Sequence, residues 1–130
     1  MSTLRTGIAS YESMKARTLA IAGGRYKPAE DDPSVWFASV ESFAKVLSER
    51  NRELLALIAR EKPASLTELA ALSGRNKSNL SRTLKTMSKY GLVEMTDGRR
   101  GRLIPKVPYD RVNLDLPLTS MPREAAQAAA

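Results

Sequence analysis

The 130 residues contain no cysteine and no histidine. Without cysteine there is neither a disulfide framework nor a thiolate metal site, which fits a reducing compartment. Without histidine the commonest general base and the commonest metal ligand are both missing. A hydrolytic triad would then need an unusual base such as lysine, and no G-x-S-x-G elbow is present to hold its serine. The carboxylates are scattered along helical segments, mostly beside basic residues. "SGRNKS" (73–78) resembles the end of a phosphate-binding loop but lacks the earlier glycine and the Gly-Lys pair. No apolar run approaches the roughly 20 residues that a membrane span requires. The N-terminal "MSTLRTGIASYESMK" has no apolar core of a secretory signal. These absences argue against an enzyme, a cofactor, a metal site and a membrane partner, and lead us to expect a cytoplasmic protein.

What is abundant is positive charge, and it is concentrated. The chain carries a net +7. Residues 1–33 account for +1, residues 34–74 for zero and residues 107–130 for −1. Residues 75–106 hold nine Lys/Arg against two Asp/Glu, so this 32-residue stretch carries the whole excess. Clustering of this kind is the electrostatic footprint of a polyanion site. A chain of this length makes one domain with a short appendage and buries a core without covalent staples.

Along the chain, "GIASYESMKARTLAIAGG" reads as a modest amphipathic helix with Ile8, Tyr11, Leu19 and Ile21, stopped by Gly23-Gly24. "RYKPAEDDPS" follows as a loop, and "DDP" (31–33) has no metal-ligand spacing, so it is expected to be solvated. "VWFASV" (35–40) is β-branched and aromatic, as a short strand requires. "ESFAKVLSE" and "ERNRELLALIAREK" read as helices, the second with Leu54, Leu55, Leu57 and Ile58 in one stripe. Ser48 is a candidate N-cap between them, unless they run on continuously, and Pro63 ends the run. "SLTELAALSG" has the capping-box pattern of Ser65 and Glu68, with Leu66, Leu69 and Leu72 expected inward and Gly74 as the stop.

Asn76 can cap the next helix, which runs to about Tyr90 and stops at Gly91. "LVEMT" and "RLIPKV" are strand-like, and the Asp97-Gly98 pair between them signals a hairpin through its tolerance of positive φ. Pro105 confines its strand to an edge. "YDRVNLDL" alternates as a further strand, whereas "PLTSMPREAAQAAA" has no core-forming pattern and reads as a frayed tail.

At 100° per residue, Leu80, Leu84 and Met87 share one sector of the segment "SGRNKSNLSRTLKTMSKYG" (73–91). Ser78, Arg82, Lys85 and Lys89 occupy the opposite one, flanked by Asn79, Ser81 and Thr86. One face suits burial and the other suits a DNA major groove, with the N-terminal half nearest the bases. Arg82 has the donor fork for a guanine edge and Asn79 the amide for an adenine edge. Lys85 and Lys89 suit phosphates. The preceding helix, a short turn away, would brace this one as in a helix-turn-helix. Arg99, Arg100 and Arg102 would tip a wing that enters the minor groove or grips phosphates.

"PASLTELAALSGRNKSNLSRTLKTMSKYGLVEM" resembles the winged helix-turn-helix of MarR-like bacterial and archaeal transcriptional regulators. The chain further resembles a smaller group of short prokaryotic regulators through "KARTLAIAGGRYKP" and "VWFASVESFAKVLS", over roughly residues 8–116. Genes of that group often lie beside toxin-like partners, so the resemblance implies a DNA-binding repressor that also serves as an antitoxin. It carries the groove-reading role to Ser78, Asn79, Arg82 and Lys85, and the wing role to Arg99, Arg100 and Arg102. Arg75, Asn76, Lys77, Ser81 and Lys89 complete the expected DNA-binding set. The long C-terminal dimerisation helix of full-length MarR regulators is missing. The N-terminal helix and the "VWF" segment are therefore the candidates for a dimer or partner interface, through Tyr11, Leu19, Trp36 and Phe37. For Trp36 and Phe37 a core position competes with that role.

The expected architecture is mainly α with a small β wing, an α+β winged helix-turn-helix. Residues 1–33 would form a helical arm and linker, 34–116 the DNA-binding domain and 117–130 a flexible tail. The expected function is a homodimeric, sequence-specific regulator binding double-stranded DNA, an autorepressor and antitoxin. The alternative is a protein-interaction module that neutralises a toxin on the same scaffold without reading DNA sequence.

Overall fold

In the computed structural model, residues 2–27 and 32–119 are described. Along the chain the elements are β1 (Thr3–Ile8), α1 (Tyr11–Ala22), β2 (Val35–Phe37), α2 (Val40–Val46), α3 (Glu49–Glu61), α4 (Leu66–Ser73), α5 (Lys77–Lys89), β3 (Glu94–Asp97), β4 (Leu103–Lys106) and β5 (Arg111–Asp115). The protein is therefore α+β. Two compact units divide it: Ala44–Asp110 together with Ser2, and Thr3–Phe43 together with residues 111–119. The division does not fall at residue 33, where an arm was expected to end. Nor is the N-terminal segment helical from Gly7, because Thr3–Ile8 is a strand. Of the expected tail, residues 120–130 lie outside the described residues.

In the unit built from the two ends of the chain, β1 is the middle strand of a parallel sheet ordered β2-β1-β5. The alternation that fits a strand is visible in its side chains, with Leu4 and Thr6 buried and Arg5 exposed. Gly7 has a specific reason to be glycine: a Cβ there would sit 2.5 Å from the Trp36 ring. Phe37 is fully buried and meets Phe43 edge to face, with centroids 5.1 Å apart. Helix α1 begins at Ser10, whose Oγ accepts from the Ser13 N–H at 3.1 Å, and Gly23 caps its end. The Arg17 guanidinium stacks over the Tyr26 and Trp36 rings at 5.7 and 5.6 Å. Asp32 is buried and accepts a hydrogen bond from the Tyr26 hydroxyl. The expectation of a solvated "DDP" loop is corrected at that residue, and Asp31 lies outside the described residues.

In the other unit, the helices begin and end where side-chain chemistry requires. Ser48 separates α2 from α3 and accepts from the Asn51 N–H at 3.2 Å. Helix α3 stops at Lys62 in the left-handed conformation (φ 47°), just before buried Pro63. Ser65 Oγ accepts from the Glu68 N–H at 3.1 Å, while Glu68 Oε2 accepts from the Ala64 N–H at 3.3 Å. This is the capping box with its return bond displaced by one residue. Ser65→Ala is expected to lower stability by about 1 kcal/mol, measured by urea unfolding. Gly74 then ends α4 at φ 72°, where only glycine is unstrained.

Leu54, Ile58, Leu69, Leu80, Leu84, Met87, Leu92 and Val93 are buried in this unit. Helix α4 packs on α3, α5 and β4, and α3 also reaches β4. Leu72, expected inward, is 44% exposed. The eight-residue α4 is short and turns only Leu69 fully into the core.

Strands β3 and β4 form the expected antiparallel hairpin, with Met95 opposite Pro105. A two-stranded ribbon has only edges, so the missing N–H of Pro105 is tolerated. The positive φ values fall at Arg100 (58°) and Gly101 (70°), later in the loop than the Asp97-Gly98 signal suggests. The loop is longer than a two-residue turn, and the Gly98 N–H donates to the Arg102 carbonyl at 2.6 Å. Gly98 is needed for close approach instead: a Cβ would lie 2.7 Å from Ile104 Cδ1.

Candidate nucleic-acid interface

Helix α5 separates its two faces as the sequence requires. Leu80, Leu84 and Met87 are at most 1% exposed. Lys77, Ser78, Ser81, Arg82, Lys85, Thr86 and Lys89 are exposed. Arg82, Lys85 and Lys89 form no ion pair with any described residue. Cations held in this way are solvated and ready to exchange water for an anion.

The N-terminal end of α5 is built by polar side chains bonding one another. Asn76 is the N-cap, and its Oδ1 accepts from the Ser78 N–H at 2.8 Å and the Ser78 hydroxyl at 2.5 Å. Arg75 is engaged with its own fold. Its Nε and Nη2 donate to Asn79 Oδ1 at 3.1 and 2.8 Å, its Nη2 to Thr83 Oγ1 at 3.1 Å, and its Nη1 to Asn51 Oδ1 at 3.3 Å. Burial, and secondarily the neighbouring Arg50, lower the Arg75 pKa from its ordinary value. Neutral acceptors from α3 and α5 thus surround a partly desolvated guanidinium, and Arg75 pins the turn before α5 to both helices.

This arrangement places three of the expected residues in contacts within the fold. Arg75 is a positioning residue. The Asn79 amide oxygen is occupied by Arg75, so the two-bond adenine contact, which needs both amide atoms, is not set up. The Ser78 hydroxyl is engaged with the cap. The cationic face that remains open comprises Lys77, Arg82, Lys85 and Lys89, with Ser81 among them. The i, i+4 spacing of Arg75 and Asn79 is a legible hint of their contact, whereas Asn51, 24 residues earlier, joins only through tertiary packing.

At the hairpin, Arg100 and Arg102 are exposed, and Arg99 begins the turn. Between α5 and the hairpin lies a cleft of about 370 Å³, with Leu66, Leu84, Met95 and Leu103 in its lining and Lys85 and Lys89 contributing their side chains. The sequence pattern gives no sign of this cleft, because its walls come from four separate elements, α4, α5, β3 and β4.

The four residues of the expected dimer or partner interface separate by environment. Tyr11 and Leu19 are 82% and 54% exposed on α1. Trp36 is half-buried beneath Arg17. Phe37 is fully buried, so its role is corrected to core. Among the described residues there is no cluster of three or more Asp/Glu placed to hold a metal ion. No helix among them is long and apolar enough to cross a membrane.

The structure thus defines an α+β protein with an unneutralised cationic helix face beside an arginine-bearing hairpin. A family model designated HVO_A0114 matches residues 46–114, and the chain belongs to that family. The match covers α3, α4, α5, the hairpin and most of β5. A comparison with curated proteins finds no match.

Proposed function

We propose that α4, the turn at 74–76, α5 and the β3–β4 hairpin act as a winged helix-turn-helix of MarR-like type. On this reading the protein is a homodimeric regulator that binds double-stranded DNA sequence-specifically and represses its own gene. The observation that carries the proposal is the open cationic face of α5, backed by three fully buried apolar residues on the same helix. A major groove accepts a helix with this division of faces. Arg82 reads a guanine edge, Lys85 and Lys89 neutralise phosphates, and Arg100 and Arg102 meet the backbone or the adjacent minor groove. No step of the proposal requires a cofactor or an enzymatic reaction.

The test is Arg82→Ala, titrated on the preferred duplex and on a random duplex of equal length. A bidentate base contact predicts a loss of roughly 1–3 kcal/mol on the preferred duplex and a smaller one on the random duplex. Equal losses would assign Arg82 to a phosphate. A second reading is a module that neutralises a toxin protein without reading DNA sequence. Exposed Tyr11 and Leu19 on α1 favour a protein partner. The two readings are compatible, since the cationic face of α5 and these residues lie in different units.

A further inference from the structure

Four aliphatic side chains line the cleft between α5 and the hairpin: Leu66 from α4, Leu84 from α5, Met95 from β3 and Leu103 from β4. Leu84 is buried, Leu66 and Met95 are half-buried, and Leu103 is 43% exposed. The pairing of Met95 with Pro105 and of Asp97 with Leu103 puts Met95 and Leu103 on one face of the ribbon. Asp97 shares that face but does not line the cleft. DNA recognition gives these apolar groups no task. A duplex backbone calls for cations and hydrogen-bond donors, and the apolar contacts that bases offer in the major groove are thymine methyls.

Lys85 and Lys89 also line the cleft, one turn apart on α5, and neither forms an ion pair with any described residue. Among the described residues, none that lines the cleft is acidic or aromatic. Lysine lays its methylene stem along apolar surface and keeps its ammonium in water. The complement of such a site is one anionic head joined to an aliphatic body. With no ring in the lining there is no face on which a planar ligand could stack. A flexible methionine and an open leucine adapt instead to a slender chain. The volume of about 370 Å³ suits one small molecule, since ligand pockets span roughly 300–1,000 Å³.

We propose that this cleft binds a medium-chain aliphatic carboxylate, its chain against the four apolar residues and its head at Lys85 and Lys89, and that the bound carboxylate opposes DNA binding. The second half rests on the DNA-binding reading, in which the same two lysines meet phosphates. By linkage, DNA weakens the carboxylate by the same factor as the carboxylate weakens DNA.

The cleft is tested first without DNA, by adding sodium decanoate below its micellar concentration to the full ¹⁵N-labelled chain. Saturable amide shifts are expected in residues 81–89 and 94–104. Combined Lys85→Gln and Lys89→Gln should weaken decanoate roughly three- to tenfold and leave decanol, which has no charge, unaffected. Leu103→Asn, at an exposed position, should weaken both ligands at least about fivefold. Shifts that do not saturate, or that spread over both units of the chain, would overturn the proposal. So would a decanoate affinity indifferent to both variants. Competition on duplex DNA follows, with sodium acetate at equal concentration to match ionic strength. Decanoate is expected to release the duplex from the native chain and to release less from Leu103→Asn. Release equal to that by acetate would overturn the regulatory half. A chain that takes decanoate in the cleft but binds no duplex would refute the DNA-binding reading and leave the carboxylate site standing.

Discussion

Replacing Arg82, Lys85 and Lys89 together by glutamine should reduce affinity for the preferred duplex at least about a hundredfold. All three are exposed and form no ion pair with any described residue. Their removal breaks no contact within the fold, and surface substitutions of this kind usually change stability by only about 0.5 kcal/mol each. On the proposed DNA-binding reading the effect is large because the triple variant loses a base contact at Arg82 together with two phosphate contacts at Lys85 and Lys89. These contributions separate in a salt titration. Losing two phosphate contacts should flatten the dependence of log affinity on log salt by about 2. An unchanged slope together with lost affinity would mean that the lysines lie away from the backbone.

Leu80→Ala should act in the opposite way, through the fold. Leu80 is fully buried on the inner face of α5, and truncating a buried leucine costs roughly 2–5 kcal/mol. Against the 5–15 kcal/mol that stabilises an ordinary domain, this is a large share. The expected result is a lower urea midpoint, with DNA affinity nearly preserved at temperatures where the variant stays folded. The two variants thus separate what α5 does for the core from what it does at its surface. If Leu80→Ala lost affinity while fully folded, the inner face would also be setting the angle of the helix.

Much of Ala44–Asp110 was legible in the sequence because its signals are local. The caps at Ser48, Ser65 and Asn76 each need only a hydroxyl or amide within reach of an N–H two or three residues on. The stop at Gly74 and the two faces of α5 are equally short-range. The ends of the chain were read less well, since β1 finds its partner more than 100 residues away. The alternation Leu4, Thr6, Ile8 was present, but the helical pattern beginning just after it claimed Ile8 as well. Parallel pairing leaves no turn to betray it.

The candidate site shows the same limit. Exposed Arg82, Lys85 and Lys89 follow from helical spacing alone. The withdrawal of Asn79 into a bond with Arg75 depends on where that guanidinium can discharge its donors, and two of its acceptors are Asn51 and Thr83. Asp32 likewise reads as a loop carboxylate in the sequence, and it is the folded chain that brings the Tyr26 hydroxyl to it.

Fluorescence-anisotropy titration of the full chain tests the central claim most directly. One duplex comes from upstream of its own gene and the other is a scrambled duplex of equal length, each measured at two salt concentrations. A sequence-reading regulator predicts a preference of at least about a thousandfold, the lower end for specific binders. Weak, salt-sensitive and equal binding to both duplexes would contradict the account and reduce the cationic face of α5 to a nonspecific electrostatic patch.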